Sequence, residues 1–445
     1  MSSVSISGEG RLPPAPVSRS ALRTALVGTV VGNTFVWFDF ALFGTVSALV
    51  FPKLFFPTLT PFTGLLATFL TFGIGLLARP VGAFYFANLG DRLGRKRMLV
   101  LSMVLISVTS LGIGLLPGYR TIGVAAPILL LLLRLAQGFS LGGESSAATV
   151  LAVEYAPPGR RGILVATVIL GATLGQVLVT LTLVVVRGVV SESVFLGWAW
   201  RIPFVLGFGL AIVGYVIRRR VEETPVFRRA VAQIAAQPRM PIVAVLRRYP
   251  KMIALLTPLA ISPAALNYVC TVYVLGYYKN QLHLPSQVGF TLLLTQGIIG
   301  IFLNLLGGAL SDRYGRKPVL YVTMVIALIG SLLYFPLVDT RSWGVMLLAS
   351  VLTLGVLAVA GGARGPLFAE PFPTSVRFSG HAAASSIGNV IGGSPAPLVA
   401  AALLHWTGTP WSIAMMLALL FAFSLAVLPF IRETVRIDLE AGDGR

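Results

Sequence analysis

The chain has 445 residues, of which 56% are hydrophobic and only 11% are charged, and its mean hydropathy is +0.88. A soluble globular protein usually carries about 25% charged residues, so the composition excludes an ordinary soluble domain and predicts an all-α polytopic membrane protein. The net charge of +19 does not indicate a nucleic-acid partner, because the basic residues cluster in short loops instead of lining one surface.

The predicted elements, in chain order, start with a polar, Pro- and Ser-rich stretch, residues 1–23, which we interpret as a disordered tail. Twelve apolar segments follow, each long enough to cross a hydrocarbon core of about 30 Å at about 1.5 Å per residue. They are predicted to begin near residues 24, 61, 98, 125, 162, 200, 251, 286, 318, 343, 379 and 410. The first lacks a small-residue cleavage site, which favours a membrane span over a signal peptide.

Basic residues are distributed unequally between the two sides of the predicted membrane. Of 34 Lys and Arg residues, 25 lie on the side of the two termini, six lie in the opposite loops and three lie within spans. Positive charge in short loops favours the cytoplasmic side. We therefore expect a multi-pass protein of a bacterial-type cytoplasmic membrane, with both termini and the loop GDRLGRKR (90–97) in the cytoplasm beside anionic lipid.

Several short patterns recur in the second half of the chain at nearly one offset. GDRLGRK at 90–96 returns as SDRYGRK at 311–317. The other matches are Glu154, Pro157 and Arg161 with Glu370, Pro373 and Arg377, Gly138 and Gly142 with Gly361 and Gly365, and Gly171 and Gly175 with Gly388 and Gly392. Such a repeat predicts two six-helix halves. Their bounds are 24–217 and 251–431, with a basic cytoplasmic linker at 218–250 and a short cytoplasmic tail at 432–445.

These motifs resemble those of the major facilitator superfamily, and more closely those of its metabolite:proton symporter family. The matching strings are GNTFVWFDFALFG in span one, ARPVG at 78–82, RLAQGFSLGGE at 134–144, YAPPGRRG at 155–162, EETPVF at 222–227 and FPTSVRFSG at 372–380. The family's Glu before the Trp-aromatic-Asp of span one is Val36 here. The family's Gly four residues before the motif Asp is Ala87 in the first copy and Gly308 in the second.

The resemblance implies a twelve-helix fold and a secondary active transporter that imports a small organic acid with protons by alternating access. Its substrate site is expected at the midplane between the halves, and a monomer is expected. The motif residues are expected to act as cytoplasmic gating latches; they are Asp91, Arg92, Gly94, Arg95, Lys96, Asp312, Arg313, Gly315, Arg316, Lys317, Glu154, Arg161, Glu370 and Arg377. The absence of a heptad-containing C-terminal extension argues against an osmosensing proline/betaine carrier.

Two apparent enzyme motifs are not expected to function as such. GFSLG (138–142) has the form of a hydrolase nucleophile elbow, and GIGLLA (73–78) that of a dinucleotide fingerprint, but both lie within apolar spans. His283, His381 and His405 lack metal-ligand spacing, and the single Cys270 excludes an internal disulfide. We therefore expect no enzyme activity, no metal and no cofactor beyond the coupling proton.

Charged residues within the spans are the main functional candidates, because each costs about 2.5–3.5 kcal/mol to insert. Rise per residue places Asp39 and Arg134 roughly 18 and 12 Å from the outer ends of their spans, and Arg79 and Glu144 both roughly 27 Å. We expect Asp39 to carry the proton, with Arg134 as its partner and Glu144 as the rival carrier. Arg364 has the least compensated charge and is the best candidate for an anionic substrate.

Weaker candidates and other functions remain open at this point. Arg79, Tyr268, Tyr273 and Gln296 are further candidates for substrate contacts, although the charged residues could equally be ion pairs that only stabilise the fold. The alternatives are symport of a zwitterion such as betaine or proline, a proton-coupled exporter, or a sensor built on a transport fold. A channel is disfavoured by the repeat and the scattered charges.

Overall fold

The computed structural model describes residues 19–93, 95–142, 149–150, 152–154, 156–157, 159–220 and 242–437, and regular structure in these ranges is helical throughout. We number twelve helices in chain order: α1 Arg19–Phe55, α2 Pro61–Leu93, α3 Arg95–Leu115, α4 Ala125–Leu141, α5 Arg161–Val189, α6 Ile202–Arg220, α7 Pro250–Asn280, α8 Ser286–Tyr314, α9 Arg316–Val338, α10 Trp343–Ala369, α11 Thr374–Thr407 and α12 Trp411–Val427. Two of them, α7 and α10, contain π-helical turns, Val269–Tyr273 and Val351–Gly355, and α11 bends at Ser394–Pro395.

All twelve helices begin within about five residues of the predicted starts, so the predicted all-α, twelve-helix architecture is confirmed. In the described ranges, nine helices are long and apolar enough to cross a membrane, and Leu101–Leu115, Ala125–Leu141 and Ala199–Leu210 are shorter apolar helices. Because apolar runs bounded by charged loops leave little choice of span, their ends are predictable from local sequence.

Helix pairing follows one scheme in both halves. In the first half α1 packs on α5, α2 on α4 and α3 on α6; in the second, α7 packs on α11, α8 on α10 and α9 on α12. Each pair of the second half is the first-half pair advanced by six helices, as the sequence repeat predicts. The halves join mainly along α5 and α8.

Glycines set the closest helix contacts. A Cβ on Gly138 of α4 would lie 1.8 Å from the carbonyl oxygen of Gly75 on α2. On the second half, a Cβ on Gly307 would lie 2.0 Å from the carbonyl of Val359 on α10. Only glycine permits such backbone approach between membrane helices, so the α2–α4 and α8–α10 contacts each depend on a glycine.

The described residues of the predicted linker and terminal tail form a helix and a packed segment. Residues 242–248 of the predicted linker form a short helix, Ile242–Arg248, in which Val245 is fully buried. Residues 432–437 of the predicted tail pack against the bundle end. Their order comes from contacts with distant helices, which composition does not encode.

Candidate functional site

Side chains from α1, α2, α4 and α7 meet in the middle of the bundle in a group that we call the central cluster. Its members are Trp37, Phe40, Phe43, Phe72, Arg79, Arg134 and Tyr268. Gly75 on α2 makes room for one of them, because a Cβ there would lie 2.5 Å from Arg134 Nε. The cluster therefore depends on the same α2–α4 contact that the Gly-xxx-Gly spacing creates.

Arg134 is fully buried and is surrounded mainly by aromatic rings. Its guanidinium carbon lies 4.0 Å from the Phe43 ring centroid, 4.6 Å from that of Phe40 and 5.1 Å from that of Phe72. Its Nη1 donates to Gln137 Oε1 at 2.5 Å, while Nε and Nη2 have no partner. The electron-rich ring faces stabilise the cation without neutralising it.

Asp39 is 2% exposed, and its Oδ1 atom has no hydrogen-bond partner. Among the described residues Arg134 forms no ion pair, so the predicted Asp39–Arg134 pair is not formed in this conformation. Gln137 instead connects the two, accepting from Arg134 and donating through Nε2 to the Asp39 backbone carbonyl at 3.4 Å. Sequence reasoning missed Gln137, although the string RLAQG places it one turn from Arg134.

Arg79 lies beside Arg134 but keeps part of its surface exposed. Its guanidinium carbon is 5.8 Å from the Trp37 ring centroid and 5.6 Å from that of Phe40. No hydrogen-bond or ion-pair partner of Arg79 occurs in the part of the chain that the structure describes. The predicted partner, Glu144, lies outside the described residues.

The three weaker candidates fall at different places. Tyr268 belongs to the central cluster, with its ring centroid 5.2 Å from that of Phe72. Tyr273 is buried with an unpartnered hydroxyl and lies against Phe69 of α2, one helical turn from Phe72 of the cluster but ten residues before Arg79. Gln296 is 8% exposed on α8 near the α5 interface. The structure thus brings together only Tyr268 of the three with Arg79.

Arg364 on α10 is separated from the central cluster. Its neighbour Gly365 faces α5, where a Cβ would lie 2.5 Å from Val165 Cγ1. Trp37 of the central cluster faces the same helix at Gly175, and ten residues of helix correspond to about 15 Å. Arg364 is partly exposed and forms no ion pair with any described residue, so two unneutralised cationic sites lie at two levels between the halves.

The end of the bundle that carries the loops 90–97 and 311–317, which we call the motif end, closes through buried charged groups. Asp312 at the end of α8 accepts from the backbone N–H groups of Gly162 at 2.7 Å and Ile163 at 2.9 Å. These groups are the free donors at the start of α5 in the other half, where a carboxylate is favoured by the helix dipole. Asp312 therefore joins the two halves directly.

A second layer of the motif end centres on Glu370, whose side chain is fully buried. Arg316 Nη2 donates to it at 3.2 Å, and Arg316 Nη1 also donates to Asp312 at 2.8 Å. Arg161 of the first half lies 3.6 Å from the same carboxylate. Arg377 Nη1 donates across the interface to Glu154 at 3.0 Å. The structure thus assembles one network from residues that the repeat had singled out.

Other predicted latch residues do not join this network. Arg313 is exposed and lies over the ring of Tyr314, while Gly315 adopts φ = 104°, a conformation that favours glycine at the turn into α9. The Lys317 ammonium donates to the carbonyl of Pro429 at 3.3 Å. For Asp91, Arg92, Arg95 and Lys96 only the helical backbone is described, and Gly94 lies outside the described residues.

The segment after α12 covers the network, which sequence reasoning did not predict. Glu433 accepts from the backbone N–H groups of Arg316 and Lys317, at 2.9 and 2.8 Å, and so caps α9. Burial raises the pKa of Glu433, but the backbone donors outweigh this effect and lower it below its ordinary value. The available signal was the recurrence of Glu223-Thr224 as Glu433-Thr434.

The opposite end of the bundle is closed by fewer charged side chains. Sequence reasoning predicted none of the contacts that they make. Glu192, at the start of a short helix after α5, pairs with Lys279 at the end of α7 and with Arg187, at 3.4 Å. Arg187 Nε also donates to Ser286 Oγ at 3.1 Å. The halves therefore contact each other at both ends.

The apparent enzyme motifs lie where the sequence placed them. Residues 73–78 are in α2, and 138–142 run along α4 to its C-cap. Neither has the strand–turn–helix geometry of a nucleophile elbow or a dinucleotide loop. Within the described ranges no group of His, Cys, Asp or Glu has metal-site geometry.

Comparison with known proteins settles the family. The model of the Major Facilitator Superfamily matches residues 31–384 and 260–441. The chain belongs to this superfamily. The Escherichia coli shikimate transporter is 34% identical over 408 residues, covering 90% of this chain and 92% of the relative. The glycine betaine/proline/ectoine/pipecolic acid transporter OusA of Dickeya dadantii is 31% identical, covering 94% and 85%.

These relatives confirm the resemblance to the superfamily's metabolite:proton symporters. A third, the Escherichia coli inner membrane metabolite transport protein YhjE, is 32% identical over 92% of this chain and 94% of its own. The xylose transporter XylE in a partially occluded inward-open conformation superposes with a TM-score of 0.74 at 18% identity, over 94% of this chain and 100% of XylE. This superfamily member is therefore a multi-pass membrane transporter and not an enzyme.

Proposed function

We propose that this transporter is a proton-coupled symporter that imports a small organic acid by alternating access. The observation that carries the proposal is the excess of positive charge between the halves. Among the described residues, three guanidinium groups, those of Arg79, Arg134 and Arg364, have no carboxylate partner. A buried cation without a counter-charge is costly in a membrane, and an anionic substrate would supply that charge.

The same geometry favours an acid over a betaine-like zwitterion. A quaternary ammonium group is recognised by aromatic faces. In the central cluster the faces of Phe40, Phe43 and Phe72 are already occupied by Arg134, and Trp37 and Phe40 lie beside Arg79. A second cation there would be repelled. Among the relatives are a shikimate transporter and a betaine/proline transporter, so the distinction needs a direct test.

The proposed substrate contact is Arg79, assisted by Tyr268, because its guanidinium is both unpaired and partly exposed. Arg134 is completely enclosed, so it acts on the substrate indirectly, through the positive electrostatic potential that it adds to the site. Asp39 is the proposed proton carrier, since it is a buried acid within α1 and one of its oxygens has no partner. A change of conformation that moves Arg134 onto Asp39 would favour release of the proton.

The motif end is proposed to face the cytoplasm, with both termini, because most basic loops lie at that end. Opening it would separate Asp312 from the start of α5, Arg161 from Glu370 and Arg377 from Glu154. These contacts would thus act as the latch that the repeated motifs suggested.

Uptake of labelled compounds into proteoliposomes tests the substrate class. We expect shikimate or another small carboxylate to accumulate when the outside is acidified, and glycine betaine not to accumulate. Arg79→Gln should reduce carboxylate uptake at least tenfold, since a hydrogen bond to a charged group contributes about 1.5–3 kcal/mol. Betaine uptake that is unaffected by Arg79→Gln would overturn the proposal in favour of a zwitterion carrier.

Asp39→Asn tests the coupling. Without a titratable group the variant should lose accumulation driven by pH, a driving force of about 1.4 kcal/mol per unit for one proton. Counterflow exchange of substrate should persist, because exchange needs no net proton movement. Glu144→Gln is the matched control. Retained accumulation in Asp39→Asn together with its loss in Glu144→Gln would transfer the role to Glu144.

A further inference from the structure

His381 on α11 is a buried polar group that the proposed mechanism does not use. It is 6% exposed, and its Nδ1 atom has no hydrogen-bond partner. A buried polar atom left unpaired costs about 1–3 kcal/mol, so the presence of a histidine at this buried position needs an explanation. One face of the ring is accounted for by Phe368 of α10, whose centroid lies 6.3 Å from that of His381 in an edge-to-face arrangement.

Arg364 is the charged group near His381. Arg364 precedes Phe368 by one helical turn on α10, so the two side chains lie on the same face of the helix, the face that packs against the imidazole. The two therefore form a pair in which an unneutralised cation stands beside an unsatisfied imidazole nitrogen. Both groups are suited to an anion, the guanidinium as a forked donor and the neutral imidazole as a single N–H donor.

The described acids closest to this pair along the helices are already committed to other partners. Glu370, six residues beyond Arg364, is held by Arg316, Arg161 and Thr434. Glu154 is held by Arg377. Neither is free to neutralise Arg364 while the motif end is closed, and a bound anion would supply the charge that these described acids do not.

The pair lies too far from the central cluster to share one small substrate with it. Along α5, the contact with Gly365 and the contact with Trp37 are ten residues apart, or about 15 Å. Along α11, His381 and the Gly393 contact with Tyr268 are twelve residues apart, or about 18 Å. Two independent helices thus give similar separations, both in the direction of the motif end.

We infer that Arg364 and His381 form a second anion-binding subsite, between the central cluster and the motif end, that holds the carboxylate of the acid as it enters or leaves on that side. The inference rests on the proposed function only in taking the ligand to be a carboxylate. Arg364 supplies the charge and His381 the positioning hydrogen bond. The substrate would then occupy the two levels in succession.

Three histidines in the whole chain make a direct test possible. In the full-length carrier labelled with ¹⁵N-histidine, acetate titrated in detergent should shift the imidazole resonances of His381 alone and saturably. His283 and His405 are internal controls, since His283 is an exposed loop residue and His405 is stacked on Phe62. Glycine betaine at equal concentration should produce no shift.

Variants separate this subsite from the central one. Arg364→Gln should abolish the shift and Arg364→Lys should retain part of it, because a point charge lacks the planar fork. Arg79→Gln should leave the shift intact even where it stops transport. A His381 resonance that is insensitive to acetate in the folded wild-type carrier, or a shift that survives Arg364→Gln, would overturn the inference.

Transport kinetics give a readout that packing alone would not move. His381→Phe keeps an aromatic ring against Phe368 but removes the N–H donor, and should raise the KM for acid uptake about tenfold. His381→Asn places an amide near the Nδ1 position and should restore most of the affinity. Equal KM values for His381→Phe and wild type, with both folded, would contradict the positioning role, whereas failure of all carboxylate uptake would refute the proposed function instead.

Discussion

The motif end and the opposite end of this transporter close in different ways. At the motif end the side chains of Arg316 and Glu370 are both completely buried, whereas at the opposite end Lys279 and Glu192 remain 32% and 25% exposed. A buried ion pair that loses a partner leaves an uncompensated charge, while an exposed pair is rehydrated at little cost. Opening the motif end therefore has to preserve the pairs that lie within one half and break those that cross, including Arg377–Glu154.

The contacts of the motif end fit this requirement. Arg316, Asp312 and Glu370 all belong to the second half and can stay together when the halves separate. Asp312 also contacts the start of α5, and Arg161 also contacts Glu370, and these contacts cross the interface. The difference between the two kinds of contact leads to an ordered series of expected effects.

The largest effect is expected from Glu370→Gln. The substitution removes the charge that neutralises Arg316 and Arg161, and loss of one partner in a buried pair destabilises by about 3–5 kcal/mol. Thermal unfolding in detergent measures it. Glu154→Gln is the matched control, because Glu154 also pairs with an arginine, Arg377, but is partly exposed. Equal stabilities of the two variants would refute the distinction.

Asp312→Asn should shift the conformational balance, and it should also lower the stability because it removes one partner of buried Arg316. It weakens two charge-assisted bonds to the start of α5, worth about 1.5–3 kcal/mol, which corresponds to about a 10- to 150-fold change in population. Spin-label distances across the motif end should lengthen. Asp339→Asn, which affects only the bond from Tyr277 within the second half, should leave them unchanged. Unaltered distances in Asp312→Asn would show that Asp312 is not part of a latch.

At the opposite end, Glu192→Gln should have an effect below about 1 kcal/mol, because its pair with Lys279 is partly hydrated. The effect should also fade at about 1 M salt, where charges are screened within about 3 Å. Spin-label distances across this end, recorded at low and high salt, measure it. A change in distance as large as that caused by Asp312→Asn would mean that the contacts at both ends stabilise the closed state equally.

The smallest effect is expected from Glu433→Gln, and it should depend on pH. Because the folded protein holds the pKa of Glu433 below its ordinary value of 4.5, the charged cap contributes stability above about pH 4.5 and loses it as pH falls further. The stability difference between wild type and Glu433→Gln should be constant near neutral pH and shrink in acid. A difference that grows on acidification would contradict the cap.

The sequence by itself determined the spans, the two halves and the identity of the motif residues. Those features follow from apolar run length and from identical patterns at one offset, which are properties of neighbouring residues and survive any packing of the helices. The sequence also shows the glycines Gly138 and Gly142 that allow close helix approach, but only the tertiary structure identifies α2 as the helix that packs there.

Only the tertiary structure decided which charged groups meet. Depth along the spans put Asp39 and Arg134 within reach of each other, yet Arg134 lies on aromatic rings and the Asp39 carboxylate lies beside Gly207 of α6. Depth likewise could not pair Arg364 with His381, or Glu433 with the start of α9. Rise per residue fixes height in the membrane, but the rotation of each helix and the rotamers of long side chains fix contacts, and these depend on helices distant in sequence.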